Sequence, residues 1–364
     1  MIRTERRLSE PAWLRLGVPF LSVAIAGLGG AVVLLATGHH PLATYRRILE
    51  AAFTADGAIS GTLISATPLV FCGLAAAAAF RMRLFNIGAE GQLTIGAIAA
   101  VATGLALGDL ATPIQVTCMV VAGALGGAAW ASLPGMLLAF ARTNEIITSL
   151  MLNYVAALVG NYLIFDSLSY VRDTSPQART FPQGRTLPDS ASWPVYGSGT
   201  AVPFGLLLGI GVAALLWFAY RRTRFGFEVS VLGDSVRAAR YAGMRTRRTV
   251  LAVMALSGAI AGIGGASQAG DFAHLFDPRA LQQEGFGYTG IVVAALSRYH
   301  PAAVVAVAFL LGGLKNAGFA LQGPDFPSGL VGVLQGLILF CALGGELLAR
   351  YRIRLGSSRT AATS

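Results

Sequence analysis

Apolar runs of membrane-crossing length dominate this chain, and no other feature narrows its folding options as far. A helix needs about 20 consecutive apolar residues to cross a bilayer. Ten stretches approach that length, at about 17–37, 59–80, 93–108, 113–140, 146–165, 202–220, 250–268, 286–297, 302–321 and 328–348. With 55% hydrophobic and 12% charged residues among 364, the composition suits neither a polar-surfaced soluble domain nor a disordered chain. Lipid offers the backbone no partners, so such runs fold as helices that satisfy their own amides. The expectation is an all-α membrane protein, a single transmembrane domain over 1–364 with about ten helices, the third and eighth of them short.

Arginine sets the orientation, because basic residues of short loops stay on the cytoplasmic side. With the N-terminus inside, 20 of the 26 arginines fall in cytoplasmic segments, and only Arg46, Arg47, Arg172, Arg179, Arg185 and Arg279 fall outside. Residues 1–16 and 349–364 are then cytoplasmic ends of a multi-pass protein of a bacterial inner membrane. The net charge of +10 follows from this sided distribution and implies no nucleic-acid partner. Residues 1–37 read as a retained first helix rather than a cleaved signal, since the apolar run is long and no small-residue cleavage site follows it. Cys72, Cys118 and Cys341 lie inside spans without paired spacing, so neither a disulfide framework nor a metal site is expected.

Two loops stand out. Residues 166–201 carry Pro176, Pro182, Pro188 and Pro194, which exclude a long helix and suggest an external cap or docking surface. The cytoplasmic segment 221–249 is rich in arginine. Within it, Asp234–Gly243 reads as a short amphipathic helix: Ser235 is the N-cap, Val236, Ala238, Ala239, Tyr241 and Ala242 are interleaved with Arg237 and Arg240, and Gly243 is the stop.

Ten spans divide into two sets of five, and five being odd, the second set has inverted topology. The short spans are third in each set, and each follows glycine-broken polar sequence, FNIGAEGQ at 85–92 and QQEGFGYTG at 282–290. Such segments at corresponding positions of inverted halves point to a transport site. Gly88, Gly91, Gly287 and Gly290 are candidate hinges there. Asn86, Glu90 and Gln92 either bond exposed backbone or face a polar path, and Glu90 has the alternative of pairing with Arg81 or Arg83 at the interface. Asn153 is read as an interhelical hydrogen-bond partner or a ligand.

The stretches LFNIGAEGQLTIGA at 84–97, TNEIITSLMLNYVA at 143–156, GDSVRAARYAGM at 233–244 and GFGYTGIVVAALSRYHP at 285–301 resemble the permease family of ABC importers that serves branched-chain amino acids, simple sugars and nucleosides. The pairing of NIGAEGQ with NEIITSLMLNY is similar to the nucleoside and simple-sugar branch. Thr289, where relatives often carry an acid, and Lys315, inside a span, depart from the pattern. The resemblance implies a type II importer subunit working with a second, different permease, two cytoplasmic ATPase subunits and an external binding protein. It also implies that the segment matching Gly233–Met244 is the coupling helix, so Asp234, Arg237, Ala238, Ala239, Arg240, Tyr241 and Gly243 would meet the ATPase.

A phosphate-binding loop needs Gly-Lys-Ser or Gly-Lys-Thr, and Lys315, the only lysine, lies between Leu314 and Asn316. ATP and magnesium are therefore expected on a partner, with no cofactor in this chain. The scattered histidines His39, His40, His274 and His300 carry no catalytic or metal-ligand spacing, so no enzymatic activity is expected. An ion-coupled secondary transporter is the rival from another class, and it lacks mid-span carboxylates and a use for the coupling helix. Nucleoside is the expected substrate, with simple sugar and branched-chain amino acid next. Phe85, Phe286 and Tyr288 would stack on a base, and amides such as Asn86 and Gln92 would bond ribose hydroxyls.

Overall fold

The computed structural model describes residues 2–6, 12–176, 178, 180–322 and 329–355. Each of the ten apolar runs forms a helix: α1 (Ala12–Ala36), α3 (Ala58–Phe80), α4 (Ala89–Leu107), α5 (Thr112–Met136), α6 (Glu145–Asn161), α7 (Phe204–Arg222), α10 (Thr246–Ser267), α12 (Phe286–Leu296), α13 (Pro301–Ala320) and α14 (Leu330–Arg350). Between them lie the short helices α2 (Pro41–Leu49), α8 (Arg224–Asp234), α9 (Val236–Tyr241) and α11 (Pro278–Glu284). Wider π-type turns extend α5 through Leu137–Ala141, α6 through Tyr162–Asp166 and α10 through Gln268–Ala273. With those extensions, seven helices among the described residues are long and apolar enough to cross a membrane: α3, α4, α5, α6, α7, α10 and α13.

One expectation changes here. The third run is not short, because α4 begins at Ala89 rather than Leu93 and runs for 19 residues. Glu90 and Gln92 form its first turn instead of lying in a bend before it, since their side chains and the turn's amides find partners in neighbouring elements. The eighth run does give a short helix, the 11-residue α12.

The chain divides into two compact units. In the unit of residues 1–45 and 322–364, α1 packs on α14, and β1 (Ile2–Arg6) pairs antiparallel with β4 (Tyr351–Leu355). Tyr45 Oη donates to the Gly27 carbonyl at 2.6 Å.

The unit of residues 46–321 is built around α3, whose residues Ala66–Phe80 are buried without interruption. A helix apolar on every side has no solvent face and belongs in a core. It packs against α7, α10, α12 and α13, while α10 packs against α3, α4 and α5. The crossing of α4, α5 and α10 is close because glycines meet there: a side-chain carbon on Gly262 would collide with the Gly123 carbonyl, and one on Gly96 with Gly262. Small residues at such crossings let backbones approach and gain dispersion contacts that bulkier side chains would forbid.

The proline-rich segment 166–201 is ordered where described. Its backbone bonds to the ends of other helices, Trp193 N to Gly270 O at 3.0 Å and Leu187 N to His274 O at 2.8 Å. Ser190 Oγ reaches the Gln115 amide at 3.2 Å. A small hairpin pairs β2 (Val195–Tyr196) with β3 (Val202–Pro203) before α7. The segment therefore packs over the ends of α5 and α10. The three cysteines are unpaired.

Candidate translocation site and coupling surface

Between α3 and α4 the chain leaves helical geometry at 81–88, turning through Arg83 at φ 58°. Backbone freed from a helix inside an apolar protein must find other partners. Asn86 supplies several of them. Fully buried, it accepts from Gly88 N at 3.0 Å and exchanges bonds with Gln92, Nδ2 to Oε1 at 3.1 Å and Gln92 Nε2 to Oδ1 at 3.0 Å. Asn86 Nδ2 also donates to Ser257 Oγ at 2.9 Å, which in turn donates to Ala75 O at 2.7 Å. Asn86 and Gln92 are thus committed to one another and to α10, rather than presented to a solute.

Side chains from α6 complete the break. Ser149 Oγ accepts from Ile87 N at 3.1 Å. Asn153 accepts from Gly91 N at 2.9 Å and donates to Ile87 O at 2.9 Å. The first amides of a helix have no intrahelical acceptor, so Asn153 caps α4 from another helix. Its Nδ2 also lies 3.5 Å from Tyr288 Oη, which ties α6 to α12.

Glu90 does the same for α12. Its side chain is buried and Oε2 accepts from Gly287 N at 2.6 Å, with the Tyr288 amide also facing it. The carboxylate of one helix's first turn closes the N-terminus of another, where the dipole and free amides favour negative charge. The interface ion-pair reading of Glu90 is overturned: Arg81 stacks over Tyr220 at 5.0 Å, and Arg83 lies 3.8 Å from Asp234.

The glycines at this junction permit close approach. Beta-carbons on Gly287, Gly290 and Gly91 would collide with or crowd Glu90, Cys72 and Asn153 respectively, and Gly88 sits against Gln92 and Asn86. None of the four has positive φ; the left-handed residue that turns the chain into α12 is Gly285, at φ 56°.

Lys315, which the sequence singled out without a role, pairs with Glu284 Oε2 at 2.7 Å, also bonds the Glu284 carbonyl, and lies 4.1 Å from the Phe286 ring centroid. This ties α13 to the turn at Gly285. Phe286 is buried beneath the ammonium and is not open for stacking. Of the three aromatics, Phe85 at 43% exposure and Tyr288 at 41% stay accessible, Tyr288 next to exposed Tyr154. Ser149 and Ser257 escaped the sequence reading because a serine within an apolar run gives no signal of its partner.

The segment 234–243 folds as its caps foretell. Ser235 Oγ accepts from Ala238 N at 3.2 Å to start α9, and Gly243 follows it at φ 73°. Asp234, Arg237, Ala238 and Arg240 are exposed, and Tyr241 is 95% exposed. Ala239 is different: it is fully buried, so it anchors α9 to the protein and cannot belong to an outer docking face. Helix α8, which leads into α9, was not separated from the loop by sequence. Among the described residues no cluster of potential metal ligands occurs.

Comparison with known proteins agrees with this architecture. Residues 58–343 match the model of the family described as branched-chain amino acid transport system / permease component. The chain is 32% identical to the glucose ABC transporter permease protein TsgB13 of Haloferax volcanii, over 98% of this chain and 95% of that protein. It is 32% identical to the guanosine ABC transporter permease protein NupP of Bacillus subtilis, over 88% and 91%. It is 27% identical to the nucleoside ABC transporter permease protein NupB of Lactococcus lactis, over 89% of each. A largely helical fold of apolar spans, a match over most of its length and near-full-length relatives described as ABC permeases place this chain in the branched-chain amino acid transport system permease family, as a membrane-spanning transport component.

Proposed function

We propose that this chain is one permease subunit of an ATP-driven importer of nucleosides, one of two permeases that enclose the solute path. The observation that carries the reading is near-full-length similarity to guanosine and nucleoside permeases. A simple sugar is the second reading, favoured by equal identity to a glucose permease over nearly the whole chain.

Ten spans in two inverted five-helix halves are part of the proposal. Helix contacts support it: α3, second in the first set, packs on α12 and α13, the third and fourth of the second set, while α10, second in the second set, packs on α4 and α5. Exchange of partners is what an inverted repeat would give. The pairing of β1 with β4 sets residues 2–6 beside 351–355, which fits an even number of spans, and the arginine distribution favours the cytoplasmic side for both.

Exposed α9 would dock a cytoplasmic ATPase through Arg237, Ala238, Arg240 and Tyr241, and ATP and magnesium would be bound there. On α6, Ile147, Met151, Tyr154, Val155 and Leu158 form an exposed apolar stripe beside Tyr288. That stripe is the face a second permease would complete, and Tyr288, Tyr154 and Phe85 would supply transient stacking for a base arriving from an external binding protein. Glu90, Asn86, Gln92 and Asn153 hold the path's wall in shape. An ion-coupled mechanism is disfavoured because the buried carboxylate, Glu90, is occupied as a helix cap.

Competition for labelled adenosine or uridine uptake by the complex reconstituted with its binding protein tests the substrate. Unlabelled nucleosides should block uptake. If glucose or leucine competes and nucleosides do not, the substrate assignment fails while the permease assignment stands.

A further inference from the structure

A cleft of about 990 Å³ opens between the start of α10, the end of α5, the break at 82–84 and α9. Among the described residues, six arginines line it, Arg83, Arg142, Arg240, Arg245, Arg247 and Arg248, against a single acid, Asp234. Asp234 is exposed and 3.8 Å from Arg83, so most of the positive charge has no acidic counterpart in the lining. Like charges gathered around one space repel, and an anion seated among them would relieve that repulsion.

Other features of the cleft also call for an anion. Helix α10 starts here with no side-chain cap, so its first amides add positive potential. Thr246, in its first turn, lines the cleft, and its hydroxyl is buried without a hydrogen-bond partner. Arg83 and Arg142 both stand in the left-handed region, at φ 58° and 55°, a backbone cost that side chains with a directed role can justify.

The rest of the lining says which anion. Met82, Leu84, Leu138 and Val250 are aliphatic, and among the described residues no aromatic ring lines the space to stack a nucleotide base. From the cleft an apolar lane runs up the wide turn after α5: Phe140 lies under Arg247, 5.4 Å from guanidinium to ring centroid, and Met136 and Leu137 beyond it are exposed. Charge at one end and exposed aliphatic surface at the other match a lipid. We infer that this cleft binds the headgroup phosphate of an anionic phospholipid, whose acyl chains lie along Phe140, Leu137 and Met136. Basic clusters at the cytoplasmic boundary suit such headgroups, and the site adjoins α9, so lipid and coupling helix would be held by the same arginines.

Lipid retention by the intact transporter complex tests this, read by native mass spectrometry during titration with cardiolipin, which carries two phosphates, against phosphatidylcholine. Replacing Arg142→Gln together with Arg247→Gln should weaken cardiolipin retention by about 30-fold, each basic group near an anionic surface being worth about a factor of five. The paired Arg→Lys changes should keep most of the retention, since a headgroup at a membrane surface responds chiefly to charge. The inference is overturned if Arg221→Gln with Arg222→Gln, at the end of α7, gives the same loss, because net charge alone would then explain it. It is overturned equally if millimolar inorganic phosphate displaces the lipid, which would mark a soluble-anion site. Loss of the ATPase subunit from the Arg142/Arg247 variant with lipid retention unchanged would assign the arginines to that interface instead.

Discussion

The junction where α4 and α12 begin and the α8–α9 segment are both islands of polar sequence in an apolar chain, yet they are built in opposite ways. At the junction, Asn86, Glu90, Gln92 and Asn153 are buried and bonded to backbone or to each other. On α9, Arg237, Ala238, Arg240 and Tyr241 face outward. The contrast teaches that polar residues beside broken spans need not touch a solute: breaking a helix frees amides, and those amides consume the side chains. Polar residues on a short capped helix at the surface stay available for a partner.

The difference can be broken most sharply at Gly287. A beta-carbon there would strike the Glu90 backbone, so Gly287→Val should separate the two helix starts, and overpacking of this kind costs about 1–3 kcal/mol or more. Loss of assembled complex by size-exclusion chromatography is the expected result, and a stable, active variant would mean the two starts are not held together. On the second region, Ala239→Glu would bury an unpaired charge under α9 and should lower the unfolding temperature of the permease itself, by several kcal/mol of stability. Thermal unfolding without the ATPase checks it, since an effect visible only in the complex would return Ala239 to the docking face.

Glu90→Ala comes next. It leaves the Gly287 amide unsatisfied, which costs about 1–3 kcal/mol, and transport should fall with stability, whereas Glu90→Gln should recover part of both. Normal uptake and an unchanged melting curve for Glu90→Ala would remove the capping role. The smallest effect on stability is expected from Tyr241→Ala, within about 0.5 kcal/mol as for exposed positions generally. The sharpening measurement is coupling: substrate-stimulated ATP hydrolysis of the complex should fall while the fold stands. A variant that hydrolyses ATP normally under substrate stimulation would take Tyr241 out of the docking surface.

Much of this protein was legible in its order of residues. Apolar runs locate helices because the bilayer requirement is local, a matter of length and hydropathy that each segment meets alone. The caps of α9 were equally readable, since Ser235 and Gly243 act within a turn of their own positions. What only the tertiary structure decided is where the polar groups of the spans go. Glu90 looked free to pair with nearby arginines because its true partner, the Gly287 amide, is 197 residues away. Ala238 and Ala239 are neighbours of identical chemistry, and only the packing of α9 sends one outward and the other in. Lys315 stood out as a lone cation, but Glu284 and Phe286 become its partners only once α13 lies against the turn at Gly285. Hydropathy and capping are properties of a few adjacent residues. A hydrogen bond between distant elements depends on where the chain brings its ends, and no local pattern records that.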